Sequence, residues 1–212
     1  MGLPFTPDQF FGVFAEYNRA FWAVAAALWF ATIGALTLAW RQPERRSPAP
    51  SLFLAALWLW NALAYHAFLF TRINPAAWIF SALFAVQAVL FLRTALRRRP
   101  DYLSSTGARQ SVGVGLTAYS LAYPFLTVAL GHDYPATPTF GLPCPTVVLT
   151  IGLLLTVREG LPLSLTLIPI LWGFIGGSAA ILLRVQTDYV LFAAGLLLLI
   201  VIVVGCVRSR RV

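Results

Sequence analysis

Long apolar blocks separated by short polar stretches make up most of this chain. Seven of them read as helices: Ala20–Trp40, Leu52–Phe70, Pro75–Leu92, Val112–Leu130, Pro143–Val157, Pro162–Leu183 and Tyr189–Val207. At helical rise, about 20 residues cross a hydrocarbon layer roughly 30 Å thick. Six blocks meet that length or nearly so, and the proline-led fifth falls short. Ahead of the first block, Thr6-Pro7-Asp8-Gln9 has the form of a helix start. Thr6 can cap, Pro7 suits the first helical position, and Gln9 completes a capping box. Phe10, Phe11, Phe14 and Tyr17 then recur at helical spacing, so residues 7–18 read as an amphipathic helix at the membrane interface. The leading residues carry Asp8 and Glu16 and offer neither a basic start nor a small-residue cleavage site, unlike a signal peptide. The expected fold is an all-α integral membrane protein, a single polytopic domain over residues 1–212 with seven transmembrane helices.

Composition agrees. The chain has 212 residues, 59% apolar and only 10% charged, with mean hydropathy +0.80. Soluble domains carry about 25% charged residues, so a soluble enzyme, a secreted disulfide scaffold and a disordered chain are excluded. The net charge of +8 would suggest nucleic acid in a soluble domain. Its placement argues otherwise. All 15 basic residues are arginine. With seven helices, twelve fall in one set of loops: Arg41, Arg45, Arg46, Arg93, Arg97, Arg98, Arg99, Arg109, Arg158, Arg208, Arg210 and Arg211. Three, Arg19, Arg72 and Arg184, fall in the other. That asymmetry puts the first set in the cytoplasm, the amino terminus outside and the carboxyl terminus inside. Dropping the fifth helix would carry the last three arginines outside and weaken the bias. The expected surroundings are a lipid bilayer, with no nucleic acid, and a second copy or a membrane-complex partner is left open.

Candidate chemistry gathers at the outer end of this topology. His66, His132, Asp133 and Cys144 supply imidazole, carboxylate and thiol, the donors of zinc, copper or another borderline-to-soft ion. Their spacing matches no zinc motif. Glu16, Asn61, Tyr65, Arg72 and Tyr134 would line a polar vestibule at the same level. His66 sits about 6 Å below the outer end of its helix at helical rise, and an ionisable side chain at that depth is a candidate functional residue. Gln87, Tyr119 and Tyr123 add mid-depth polar groups that interhelical hydrogen bonding would explain. Arg184 and Asp188, four residues apart, are expected to pair at the rim. Gly173-Phe-Ile-Gly-Gly177 offers a small-residue face for a neighbouring helix. Cys144 and Cys206 lie at opposite ends of their helices, too far apart for a disulfide.

Three segments carry a resemblance: F-T-P-D-Q-F at Phe5–Phe10, I-N-P-A-A at Ile73–Ala77, and G-H-D-Y-P-A-T-P-T-F-G-L-P-C-P-T at Gly131–Thr146. They resemble an uncharacterised family of bacterial multipass membrane proteins. The resemblance implies the fold and a bacterial inner-membrane location; it implies no activity, and no site residue transfers from it. A retinal Schiff base needs a lysine, and the chain has none. P-loop, G-x-S-x-G and H-E-x-x-H motifs are missing as well, so the pattern favours a non-enzymatic role. The reading that follows is a small transporter or permease-like protein with an outward-facing vestibule for a small solute or soft metal ion. Its alternative is a membrane-embedded redox protein binding metal or haem, the haem held by His66 and His132, or an accessory subunit of a membrane complex.

Overall fold

A computed structural model describes residues 4–41, 47–97, 100–158 and 161–209. Arg45, Arg46, Arg98, Arg99, Arg210 and Arg211, half of the arginine-rich set, lie outside the described residues. The described residues form seven α-helices: α1 Pro7–Arg41, α2 Ala49–Trp60, α3 Ala77–Arg97, α4 Gly107–Ala129, α5 Pro143–Leu155, α6 Leu163–Leu183 and α7 Tyr189–Ser209. Six helical stretches are long and apolar enough to cross a membrane; α5, at 13 residues, is not.

The capping box forms as written. Thr6 N–H donates to Gln9 Oε1 at 2.9 Å, and Gln9 N–H to Thr6 Oγ1 at 3.2 Å. Within Pro7–Arg41 the backbone is non-helical at Phe21 (φ −127°, ψ 19°), a kink that divides the first apolar block from the amphipathic segment. Its apolar stripe turns into the protein: Val13, Phe14 and Tyr17 are buried against Tyr65, Leu69, Phe70 and Leu142.

Helix α5 is too short to cross a membrane, and it is the most enclosed. Every residue of α5 except Cys144, which is partly exposed, is buried. Helices α2, α4, α6 and α7 all pack against it. A helix about 20 Å long can sit inside such a bundle because loops fold over both its ends. At the arginine-poor end, Thr137, Pro138, Phe140, Gly141 and Leu142 are buried in that cover. At the arginine-rich end, Ser104 and Ser105 N–H groups donate to Thr156 O at 3.0 and 2.9 Å. Irregular backbone at such depth is tolerated where protein surrounds it and satisfies its polar groups.

Small residues allow the closest helix contacts. A Cβ on Gly152 would stand 2.8 Å from Thr117 N of α4, and one on Gly173 2.8 Å from Gly195 Cα of α7. The small-residue face foreseen on α6 is therefore used, as apolar bundles use it, to bring backbones into van der Waals contact. The outer surface is the inverse of a soluble one: Trp22, Phe30, Ile79, Leu96 and Leu182 are each more than 60% exposed.

Candidate functional site

A lid covers the arginine-poor end of α5. It consists of the first turns of α1 and the loop from Gly131 to Leu142. Asn18, 1% exposed, holds the two together. Its Nδ2 donates to Pro135 O at 2.6 Å and Thr137 O at 2.8 Å, and its Oδ1 accepts from Thr139 Oγ1 at 2.5 Å. Thr127 Oγ1 donates to Pro138 O, and Ser120 Oγ to Pro145 O. Prolines leave carbonyls in this loop without neighbouring N–H donors; side chains from α1 and α4 supply the missing hydrogen. Gly141 at φ +86° lets the chain turn toward α5 where a Cβ would lie 2.6 Å from the Tyr17 hydroxyl. At the rim, the Arg72 guanidinium pairs with Glu16 and lies over the Phe68 ring, 4.9 Å from its centroid.

Beneath the lid, α2 widens into a π-helical turn, Asn61–Ala67, in which Phe68 N–H reaches back five residues to Leu63 O. Such turns recur at functional positions because they redirect side chains that an α-helix would keep in register. Asn61, Tyr65 and His66 all point inward from it and are buried. Asn61 Nδ2 donates to Leu57 O and to Thr146 Oγ1 of α5, at 2.8 and 3.0 Å. His66, fully enclosed, is ringed by Tyr65, Phe70, Phe80, Phe84 and Trp172 with centroids 4.6–6.2 Å away. Neither of its nitrogens has a hydrogen-bond partner.

The second group converges from three helices. Asp188, in the turn before α7, is 2% exposed and accepts a hydrogen bond from the Tyr123 hydroxyl of α4. The Cys144 thiol lies within hydrogen-bond reach of the same carboxyl and also interacts with the Trp172 indole, whose N–H finds no acceptor in hydrogen-bond geometry. Thr187 Oγ1 donates to the Tyr123 oxygen at 3.4 Å, and Tyr119 donates to Thr187 O at 2.8 Å. Tyr65 is near enough to feel the charge of both Cys144 and Asp188. Trp172 therefore stands between the two groups, against His66 on one side and Cys144 on the other.

The expected residues do not assemble as foreseen. His66 is inside the aromatic ring cluster, while His132 stacks on Phe11 in the lid at 5.5 Å. Asp133 and Tyr134 are exposed on the loop, where the Tyr134 hydroxyl donates to Asn18 O at 3.3 Å. Among the described residues no three His, Cys, Asp or Glu side chains come together to hold a metal ion, so His66, His132, Asp133 and Cys144 form no common cage. Glu16 and Arg72 meet at the rim, and Asn61 and Tyr65 lie deeper. Arg184 and Asp188 do not pair. Arg184 takes a left-handed conformation (φ 58°) that ends α6 and leaves its side chain exposed, while Asp188 turns into the bundle. Gln87 and Tyr119 do make the interhelical bonds expected of them, Gln87 Nε2 donating to Leu165 O at 3.2 Å.

Asn18 and Trp172 are site residues that sequence reasoning passed over, and Tyr123 and Asp188 were noted there separately without being joined. The available signal was Asp188 itself, an acid opening an apolar run of some twenty residues. No curated protein and no solved structure matches this chain. A family model matches residues 7–211, nearly the whole sequence, and it takes in the lid, the π-helical turn and the Asp188 turn together. The chain belongs to that family, a family of unknown function designated DUF6064.

Proposed function

We propose that this protein is a polytopic membrane protein with its arginine-rich end in the cytoplasm, and that it works as a small permease whose transport is coupled to protons. An apolar outer surface and six membrane-length helices support the first part. The observation that carries the second is Asp188. It is a carboxyl buried among apolar helices, with hydroxyl and thiol partners and, among the described residues, no cation paired to it. Ionisable groups in such positions are costly and mark ion pathways and proton relays. A charge without a cation nearby can be neutralised by a proton, and the Tyr123 and Cys144 groups can pass one.

A polar seam continues from this point along α5. Asn61 meets Thr146, the Thr150 hydroxyl donates to Thr146 O and accepts from Trp58 Nε1, and Ser51 meets the Tyr102 hydroxyl near the arginine-rich end at 2.8 Å. The lid closed by Asn18 and the Glu16–Arg72 pair is what supports reading this as an occluded form of the vestibule. In this reading the protein alternates between it and a form with the lid raised, which admits a small solute or a soft metal ion.

The test uses purified protein in liposomes containing a trapped pH dye. Zinc(II), copper(I), small carboxylates and small amines are each supplied as a gradient. At least one class should move protons faster than in protein-free liposomes, and Asp188→Asn should abolish the movement. Proton movement with none of the four, or equal movement by Asp188→Asn, overturns the proposal.

A further inference from the structure

A second polar site lies at the opposite end of the molecule from Asp188 and owes nothing to it. A cavity of about 470 Å³ opens there, lined by Ser104, Ser105, Thr106, Arg109 and Arg158. Among the described residues no acidic side chain lines it, and Asp101 stands behind Arg158. Arg109 is held by its Nε, which donates to Leu155 O at the end of α5 at 2.9 Å. Its Nη2 is shielded from water and, among the described residues, has no acceptor. The guanidinium is thus held by one edge at the wall of the cavity, and its positive charge is what an anion entering there would meet. Arg158 is fixed in the same manner, its Nε donating to Ser104 O at 3.3 Å with Asp101 Oδ2 at 3.4 Å.

The backbone adds to this. Thr106 is the N-cap of α4, yet its hydroxyl makes no capping bond, so the first-turn N–H groups of α4 have no side-chain acceptor. These N–H groups carry the positive end of the helix dipole. The loop that presents them is rigid: Leu103 N–H donates to Thr156 Oγ1 at 3.1 Å, and Ser104 and Ser105 N–H to Thr156 O. Two guanidiniums, a free hydroxyl and a helix start around one cavity form the donor set that tetrahedral oxyanions prefer, arginine matching their paired oxygens in a fork.

We infer that this cavity binds a phosphate group. Two sources present one at such a place: the headgroup of an anionic phospholipid, and inorganic phosphate or a phosphorylated solute in water. Basic pockets between helices on the arginine-rich side of membrane proteins take lipid headgroups.

The test measures thermal stability and lipid retention of the full-length protein in a neutral detergent. The additives are phosphatidylglycerol, phosphatidylcholine and inorganic phosphate. The variants are Arg109→Gln with Arg158→Gln, and, as a control for general surface charge, Arg93→Gln with Arg97→Gln. Saturable stabilisation by phosphatidylglycerol but not phosphatidylcholine, weakened at least tenfold by the first pair and spared by the second, supports a lipid headgroup. The same pattern with inorganic phosphate alone, competing with the lipid, supports a soluble phosphate. Stabilisation by neither, or an equal loss with both pairs, overturns the inference. If the first pair fails to fold, Thr106→Val and Arg109→Lys serve instead: both should bind more weakly, the lysine because it keeps charge but loses the fork, and unchanged binding by both counts against the site.

Discussion

His66 and Asp188 are both buried and both titratable, His66 against Trp172 and Asp188 linked to it through Cys144, yet their surroundings are opposites. His66 is enclosed by five aromatic rings and makes no hydrogen bond. Asp188 has Tyr123 and Cys144 donating toward it, with Thr187 and Tyr119 behind them. A buried polar group without a partner costs stability and offers no route for a proton. A buried carboxyl at the head of a hydrogen-bonded series can gain and lose a proton without leaving its neighbours stranded. Depth alone therefore does not mark a working residue. What surrounds it does, and in the proposed function Asp188 is therefore the reactive centre and His66 a packing residue.

The comparison can be broken most easily through activity. Asp188→Asn should lower solute-driven proton movement at least tenfold in liposomes, while His66→Phe should leave it near wild type. Equal losses would return His66 to the site. Asn18→Ala comes next, because it removes three hydrogen bonds between α1 and the Gly131–Leu142 loop. It should cost roughly 1–3 kcal/mol and speed maleimide labelling of Cys144 several-fold in a Cys206→Ser background. A labelling rate unmoved by Asn18→Ala would mean that the loop does not guard this thiol. His66→Phe should then raise thermal stability by about 1–2 kcal/mol, since an unpartnered polar ring gives way to an apolar one; a fall would reveal a partner for the imidazole.

The smallest effect is expected at the other end of the molecule. Tyr102, in the loop before α4, is buried, and burial pushes its phenol up to about 12 against the lowering effect of its Ser51 bond. The protonated phenol is thus favoured in the folded protein. Its contribution is fully present below the unfolded value near 10 and is lost as pH rises toward 12. Tyr102→Phe should cost about 0.5–1.5 kcal/mol at neutral pH and flatten the fall in stability between pH 10 and 12. A parallel curve in the variant would show that another group governs that range.

Much of the fold could be read from the sequence, for physical reasons. Apolar blocks of helical length have few alternatives, the Thr6–Gln9 cap is local, and glycines four apart on α6 need only a neighbour to close upon. The site was harder because its contacts join distant parts of the chain. Asn18 acts on Pro135 and Thr137, which no local pattern connects to it. The pairing expected between Arg184 and Asp188 across the turn fails because the left-handed conformation at Arg184 leaves its side chain exposed while Asp188 turns into the bundle. The π-helical turn depends on backbone bonds that reach back five residues, such as Phe68 N–H to Leu63 O, which leave no trace in apolar periodicity. His66, His132, Asp133 and Cys144 shared an expected level in the membrane, and level says nothing about the lateral packing that keeps them from forming one group.

Infrared difference spectroscopy of the reconstituted protein across a pH step tests the central claim most directly, because it sees carboxyl protonation without requiring the substrate. Wild type, Asp188→Asn and, as a control, Asp133→Asn would be compared. The account predicts a carboxyl band that grows on acidification in wild type, persists in Asp133→Asn and vanishes in Asp188→Asn. A difference spectrum that Asp188→Asn leaves unchanged would contradict it.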